Sequence, residues 1–211
     1  MVEAILQGTI RVLVTRGYEG TTTIAVAGRA GVSVGSLYQY FPNKESLVAA
    51  LVERHSEEII ACIDAALENI GHLGPRHAVE ALIRAAMNAH RIDPALHKVL
   101  SEQAPRIGRI KVAMDTSKVI TERLARYLSN HRAALRGRDP EIAAFIVETA
   151  VEAITHRSVI DSPGAMPDAR IEAEATDLVL RYLFGPRVSA HDSASGKIPR
   201  RHRERTRDGR G

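Results

Sequence analysis

Apolar residues recur at helical spacing through most of the first 186 residues, and glycines, prolines and capping side chains cut that pattern into segments. Ile5, Leu6, Ile10, Leu13 and Val14 predict a first helix ended by Gly17-Tyr18. Thr22 suits the N-cap of a second helix through Ile24, Val26, Ala27 and Ala30, and Gly31 supplies the positive φ that stops it. Ser33 then caps a third helix over Val34 to Tyr40. Val26, Ala30, Val32 and Leu37 are spaced to meet across the turn, while the small Ala27 and Ala30 let two helices cross closely. Phe41 and Leu47 are expected to close this bundle.

Pro42 breaks the chain, and Asn43 caps a long helix from Lys44 to about Ile70, with Leu47, Leu51, Ile59, Ile63 and Leu67 on one face. Such a helix spans about 40 Å. Gly71 and Gly74-Pro75 end it. With no flexible linker in this region, the domain boundary is expected inside the helix, near Glu53, dividing residues 1–52 from residues 53–186. Further helices are predicted at Arg76 to Ile92 (Val79, Leu82, Ile83, Ala86 and Met87 inward), at Ala95 to Gln103 after Asp93-Pro94, and at Ile110 to Leu135 (Val112, Val119, Ile120, Leu124 and Leu128 inward). The last two are Pro140 to Ile160 and Asp168 to Phe184, split by Ser162-Pro163-Gly164 and Pro167. The expected fold is all-α: a small three-helix head with a helix-turn-helix, then a larger helical body.

The third helix carries small or polar residues away from its core: Ser33, Val34, Gly35, Ser36 and Gln39. Small side chains let a backbone enter a major groove, Ser36 and Gln39 offer donors and acceptors to base edges, and the Val34 methyls suit a thymine methyl. Tyr38 and Tyr40 present hydroxyls at the rim, Thr22 flanks the turn, and Lys44 opens the next helix where a phosphate is favoured. Double-stranded DNA is therefore the expected partner.

The run RGYEGTTTIAVAGRAGVSVGSLYQYFPNKESL resembles the N-terminal DNA-binding domain of the TetR-type family of bacterial transcriptional regulators, over about the first fifty residues. Three features depart from the family pattern. Gly28 stands where a charged helix former is usual, Ala25 leaves a capping box half made, and Met1 falls almost directly on the first helix, where a basic arm is common. The resemblance implies a homodimer on a pseudo-palindromic operator, repression, and release by a small-molecule effector held among the middle helices. It also implies pairing of the last two helices with their copies in a four-helix bundle, through Ile142, Phe145, Ile146, Ala150 and Ala153 and through Ile171, Ala175, Leu178 and Tyr182. A pocket is expected from Met87, His90, Leu96, Leu100, Met114 and Val151, with Glu102 and His156 as polar handles.

Charge refines this picture. The net charge of +4 is concentrated in residues 187–211, where eight Lys/Arg face three Asp/Glu, leaving 21 basic and 22 acidic groups, a net of −1, over residues 1–186. DNA affinity must then come from local contacts. The tail itself, poor in apolar residues, is expected to be disordered. One cysteine, Cys62, and no long apolar run point to a cytoplasmic protein without a membrane contact. Nine histidines include no HxxxH pair, since His72 with His77 and His90 with His97 fall outside that spacing, so no metal and no cofactor are expected. Glu148 and Glu152, four apart without a Glu-x-x-His motif, are assigned to a solvated face. No GxSxG, P-loop or GxGxxG motif appears, and no enzymatic activity is expected. The alternative is an architectural or recombination-type DNA-binding protein without a ligand.

Overall fold

Helix α1 (Val2–Gly20) and helix α2 (Thr23–Ala30) cross at Gly8, where a Cβ would lie 2.9 Å from the Ala30 Cβ and 3.0 Å from its backbone nitrogen. Only a residue without a side chain permits that approach. The computed structural model describes residues 1–70, 73–161 and 168–186; the expected breaks at Gly71, at Ser162-Pro163-Gly164 and at Pro167, and the basic tail, lie outside the described residues. Near its end α1 kinks at Gly17 (φ 66°, ψ 179°) and resumes for a last turn, so the predicted stop is a bend.

The local signals around the turn act as predicted. Thr22 Oγ1 accepts from the Ala25 amide at 3.1 Å, and Gly31 adopts a left-handed φ of 71°. Ser33 Oγ accepts from the Ser36 amide at 3.0 Å and opens α3 (Val34–Tyr38). This helix is two residues shorter than expected, because the Tyr40 and Phe41 amides both turn back to the Leu37 carbonyl. Ile5, Leu13, Val26, Leu37, Phe41 and Leu47 form the head's buried core. One expected member does not: Val14 is exposed, and Val12 fills the inward position of α1 instead. The hundred-degree step per residue places position 12, one turn after Gly8, toward the core.

Helix α4 (Lys44–Asn69) begins with a capping box, Asn43 and Ser46 each bonding the other's backbone. It is followed by α5 (Pro75–Arg91), α6 (Pro94–Gln103), α7 (Ile110–Asn130), a 3₁₀ turn (Arg132–Leu135), α8 (Pro140–Thr155), a π-helical turn (His156–Asp161) and α9 (Asp168–Phe184). The described residues contain nine α-helices and no strand, and no helix among them is long and apolar enough to cross a membrane. Helices α5, α7, α8 and α9 share a second core built on Val79, Ile83, Met87, Leu128, Ala143, Ala144, Val147, Val151, Val179 and Leu183. Helix α6 does not belong to it. Leu96, Leu100 and Ala104 are buried in the head's cluster, packed with α1 and α4.

Two glycines give opposite expectations. Gly8→Ala should lower stability by about 1–3 kcal/mol, because the added methyl meets α2 backbone. Gly28→Ala should raise it by about 0.5–1 kcal/mol, since its Cβ would meet nothing within 4 Å in mid-helix. Urea denaturation of the two variants checks both signs.

Candidate nucleic-acid interface and buried histidine cavity

Leu37 anchors α3 from beneath with no exposed surface, and the rest of the segment faces outward. Ser33, Gly35, Tyr38, Gln39 and Tyr40 are exposed and Val34 and Ser36 half-exposed, so the side chains assigned to base and phosphate contact are accessible. Several are already oriented. The Ser33 and Ser36 hydroxyls lie 2.8 Å apart, and the Tyr38 hydroxyl is 3.0 Å from Thr23 Oγ1, which ties α3 to the start of α2. Lys44 differs from the free clamp expected of it. Its ammonium sits 4.2 Å from the Tyr18 ring centroid, donates to the Tyr18 carbonyl at 3.4 Å and lies 3.8 Å from Glu19. A phosphate there would join an existing cluster.

A second site lies in the body, where α4, α5, α6, α7 and α8 surround two adjoining cavities of about 70 and 100 Å³. The first is mainly apolar, with Ile59, Ile63, Leu67, Leu82 and Val151 among its walls; His90, Glu148 and Glu152 stand between it and the second. The second adds His55, His97 and His156. These histidines form a chain: His55 Nε2 is 2.5 Å from His97 Nδ1, and His97 Nε2 is 3.1 Å from His156 Nε2. Glu152 bridges two of them, with Oε2 at 3.2 Å from His90 Nε2 and Oε1 at 3.2 Å from His156 Nε2.

So many titratable groups in a small space perturb one another. Burial, reinforced by His90, His55 and His156, pushes the His97 imidazole down to about 3, so it is neutral at physiological pH. Burial likewise lowers His55. For His90 burial also favours the neutral ring, but the Glu152 carboxylate outweighs it and the pKa is raised. Burial would raise Glu152, yet hydrogen bonds from His156 and His90 hold it well below the usual carboxylate range. Glu148 is raised by burial, partly offset by the Ser117 hydroxyl that donates to it.

The expected pocket is only partly gathered here. His90, Leu100, Val151 and His156 line these cavities, and Leu96 lines a smaller one beside His55. Met87 is sealed in the body's core, Glu102 is exposed, and Met114 is 65% exposed; the α6 and α7 surfaces that carry the last two face away. Glu148 and Glu152, assigned to solvent, instead line the cavity, because α8 turns that face toward α5 and α7. His55 and His97 were not singled out by spacing, for the cluster draws one residue from each of four segments. On α8 and α9 the assigned contact residues Ile142, Phe145, Ile146 and Leu178 are exposed, while Ala175 is buried within the subunit and cannot face a copy.

The chain belongs to the tetR family of bacterial regulatory proteins. The model described as "Bacterial regulatory proteins, tetR family" matches residues 5–51, and the "Tetracyclin repressor-like, C-terminal domain" matches residues 75–183. It is a helix-turn-helix transcriptional regulator of a non-enzymatic, DNA-binding family. Among curated relatives, the chain is 32% identical to the HTH-type transcriptional repressor KstR of Rhodococcus jostii over 97 residues, 46% of this chain and 44% of that protein. It is 29% identical to the nucleoid occlusion factor SlmA of Pasteurella multocida over 89 residues, 42% of this chain and 44% of that one. The chain thus spans less than half the length of these relatives. A solved structure of SmeT, the repressor of the Stenotrophomonas maltophilia multidrug efflux pump SmeDEF, superposes with a TM-score of 0.68 at 25% identity, over 85% of this chain and 88% of that one.

The Glu152–His90 pair has a definite pH signature. Glu152, with a depressed pKa, contributes stability above the ordinary value of 4.5 that is lost as pH falls through the folded value. His90, with a raised pKa, contributes below 6.5 and loses it as pH rises through the folded value. Glu152→Gln should therefore cost most stability between these two pH values and less on either side, about 1 kcal/mol once the 44% exposure of the carboxylate is allowed for. Urea midpoints of wild type and variant across pH, in the presence of a chelator, measure this.

Proposed function

We propose that the chain is a ligand-responsive transcriptional repressor that binds a pseudo-palindromic DNA operator as a homodimer in the cytoplasm and is released by a small effector. Residues 1–52 act as the reader and residues 53–186 as the sensing and pairing body. The observation that carries this reading is the double membership of α6: Leu96, Leu100 and Ala104 pack into the reader's core, while His97 on the same helix lines the body's cavity. Whatever fills the cavity presses on a helix that supports α1 and α4. An effector that prefers one position of α6 would change operator affinity by linkage, and a preference worth about 1–3 kcal/mol gives about a 5–150-fold effect. The long α4, shared by both parts, is the second route.

Pairing is supported by the apolar strip on α8 and α9, where Phe145 is 61% and Ile142 60% exposed beside Ile146 and Leu178. Such a cluster is costly in water and suits a two-fold interface. The polar cavity favours a ligand-controlled regulator over an architectural DNA-binding protein, which has no use for one.

Selection from random duplexes by purified protein should return an inverted repeat; recovery of no common sequence would overturn the reading. On the selected duplex, Ser36→Ala and Gln39→Ala should alter base preference. Lys44→Ala should weaken all sequences about equally and reduce the salt slope by about one, measured by fluorescence anisotropy at several salt concentrations. Phe145→Glu should raise the dimer dissociation constant at least about tenfold in sedimentation equilibrium.

A further inference from the structure

We propose that the histidine cavity is a binding site for a divalent transition metal ion of the zinc class, ligated by Nε2 of His90, His97 and His156 with a Glu152 carboxylate oxygen completing the set, and that this ion is the effector. The ligand atoms of the three histidines all lie within 4.8 Å of one another. Ligands held at about 2.0–2.1 Å around a tetrahedral zinc are about 3.3–3.4 Å apart. The 3.1 Å between His97 and His156 is close to one such edge, and the Glu152 carboxylate stands beside the other ligands, with Oε2 at 3.2 Å from His90 and Oε1 at 3.2 Å from His156.

The orientation of each ring agrees with this assignment. His90 Nδ1 donates to the Ala86 carbonyl at 2.9 Å, which leaves the lone pair of the neutral ring on Nε2. That atom, on a residue only 4% exposed, stands 3.2 Å from the Glu152 carboxylate. The pair needs a cation between its two lone pairs, and a metal ion can take the place of the proton that otherwise bridges them. His97 Nδ1 meets His55 Nε2, and His55 Nδ1 stands 3.9 Å from Glu58, so a carboxylate-supported ring would orient His97 from outside the metal. Size points the same way: the two adjoining cavities, about 70 and 100 Å³, are together smaller than the pockets of about 300–1,000 Å³ that take drug-sized ligands.

The ligands come from α5, α6 and the turn after α8, so one ion would tie α6 to the body. Metal binding does not depend on the proposed function, but the effector role rests on it. The test uses the full chain stripped with a chelator and titrated with Zn²⁺ by calorimetry and with Co²⁺ by visible absorption. One ion per chain, with the bands of a tetrahedral Co²⁺ centre, is expected. His97→Gln and His156→Gln should each weaken binding at least about tenfold, with folding checked by circular dichroism, and His55→Phe by about tenfold; the exposed His77→Gln should not. No stoichiometric binding, or binding indifferent to His97 and His156, overturns the site. Operator affinity measured with and without Zn²⁺ should differ at least fivefold in wild type and not in His156→Gln; equal affinities overturn the effector role. If no duplex is selected at all while Zn²⁺ still binds, the DNA reading and the effector role fail together and the metal site stands.

Discussion

Helix α6 is only ten residues long and packs on both sides, against α1 and α4 and against α5 and the turn after α8. Its apolar side, through Leu96 and Leu100, completes the core that holds α1 and α4, and its inward His97 reaches the opposite wall of the cavity. A helix of that length is not stable alone and takes its position from what it touches. Beside the continuous α4, this short element joins head and body through two small contact sets, one apolar and one polar. The Gly8 crossing supports the first of these indirectly, by letting α1 pack closely on α2 within the same core.

That polar set is unusual in cost. Four imidazoles and a carboxylate in a partly buried space give up hydration, and the network satisfies them unevenly: Glu152 serves both His90 and His156, whereas His97 has only other rings beside it. An apolar lining of equal volume would be more favourable for folding alone. Residues that oppose stability in this way are expected where a site is built for something else.

Much of this was legible from sequence because short-range chemistry decides it. Thr22, Gly31, Ser33 and Asn43 cap or stop helices as their side chains dictate, and the order and approximate limits of the nine helices follow from apolar spacing and proline. Spacing tells which residues share a face but not which face turns inward when both carry apolar groups. Ile142 and Phe145 fit a core stripe as well as Ala143, Ala144 and Val147 do, yet the alanines permit the close α7–α8 contact and take the interior. The same ambiguity placed Met114 in the pocket and Glu148 in solvent. The histidine cluster was hidden for a different reason: its members are separated by up to about a hundred positions, and ligand spacing rules describe only neighbours on one helix.

The bend at Gly17 carries a last consequence. It swings Tyr18 over the first turn of α4, where its carbonyl and ring hold Lys44 and its hydroxyl donates to Glu45. Two ends of the head are thereby pinned together at a point far from its buried centre. A head clasped in this manner is braced against local loosening, because Tyr18 ties the end of α1 to the start of α4.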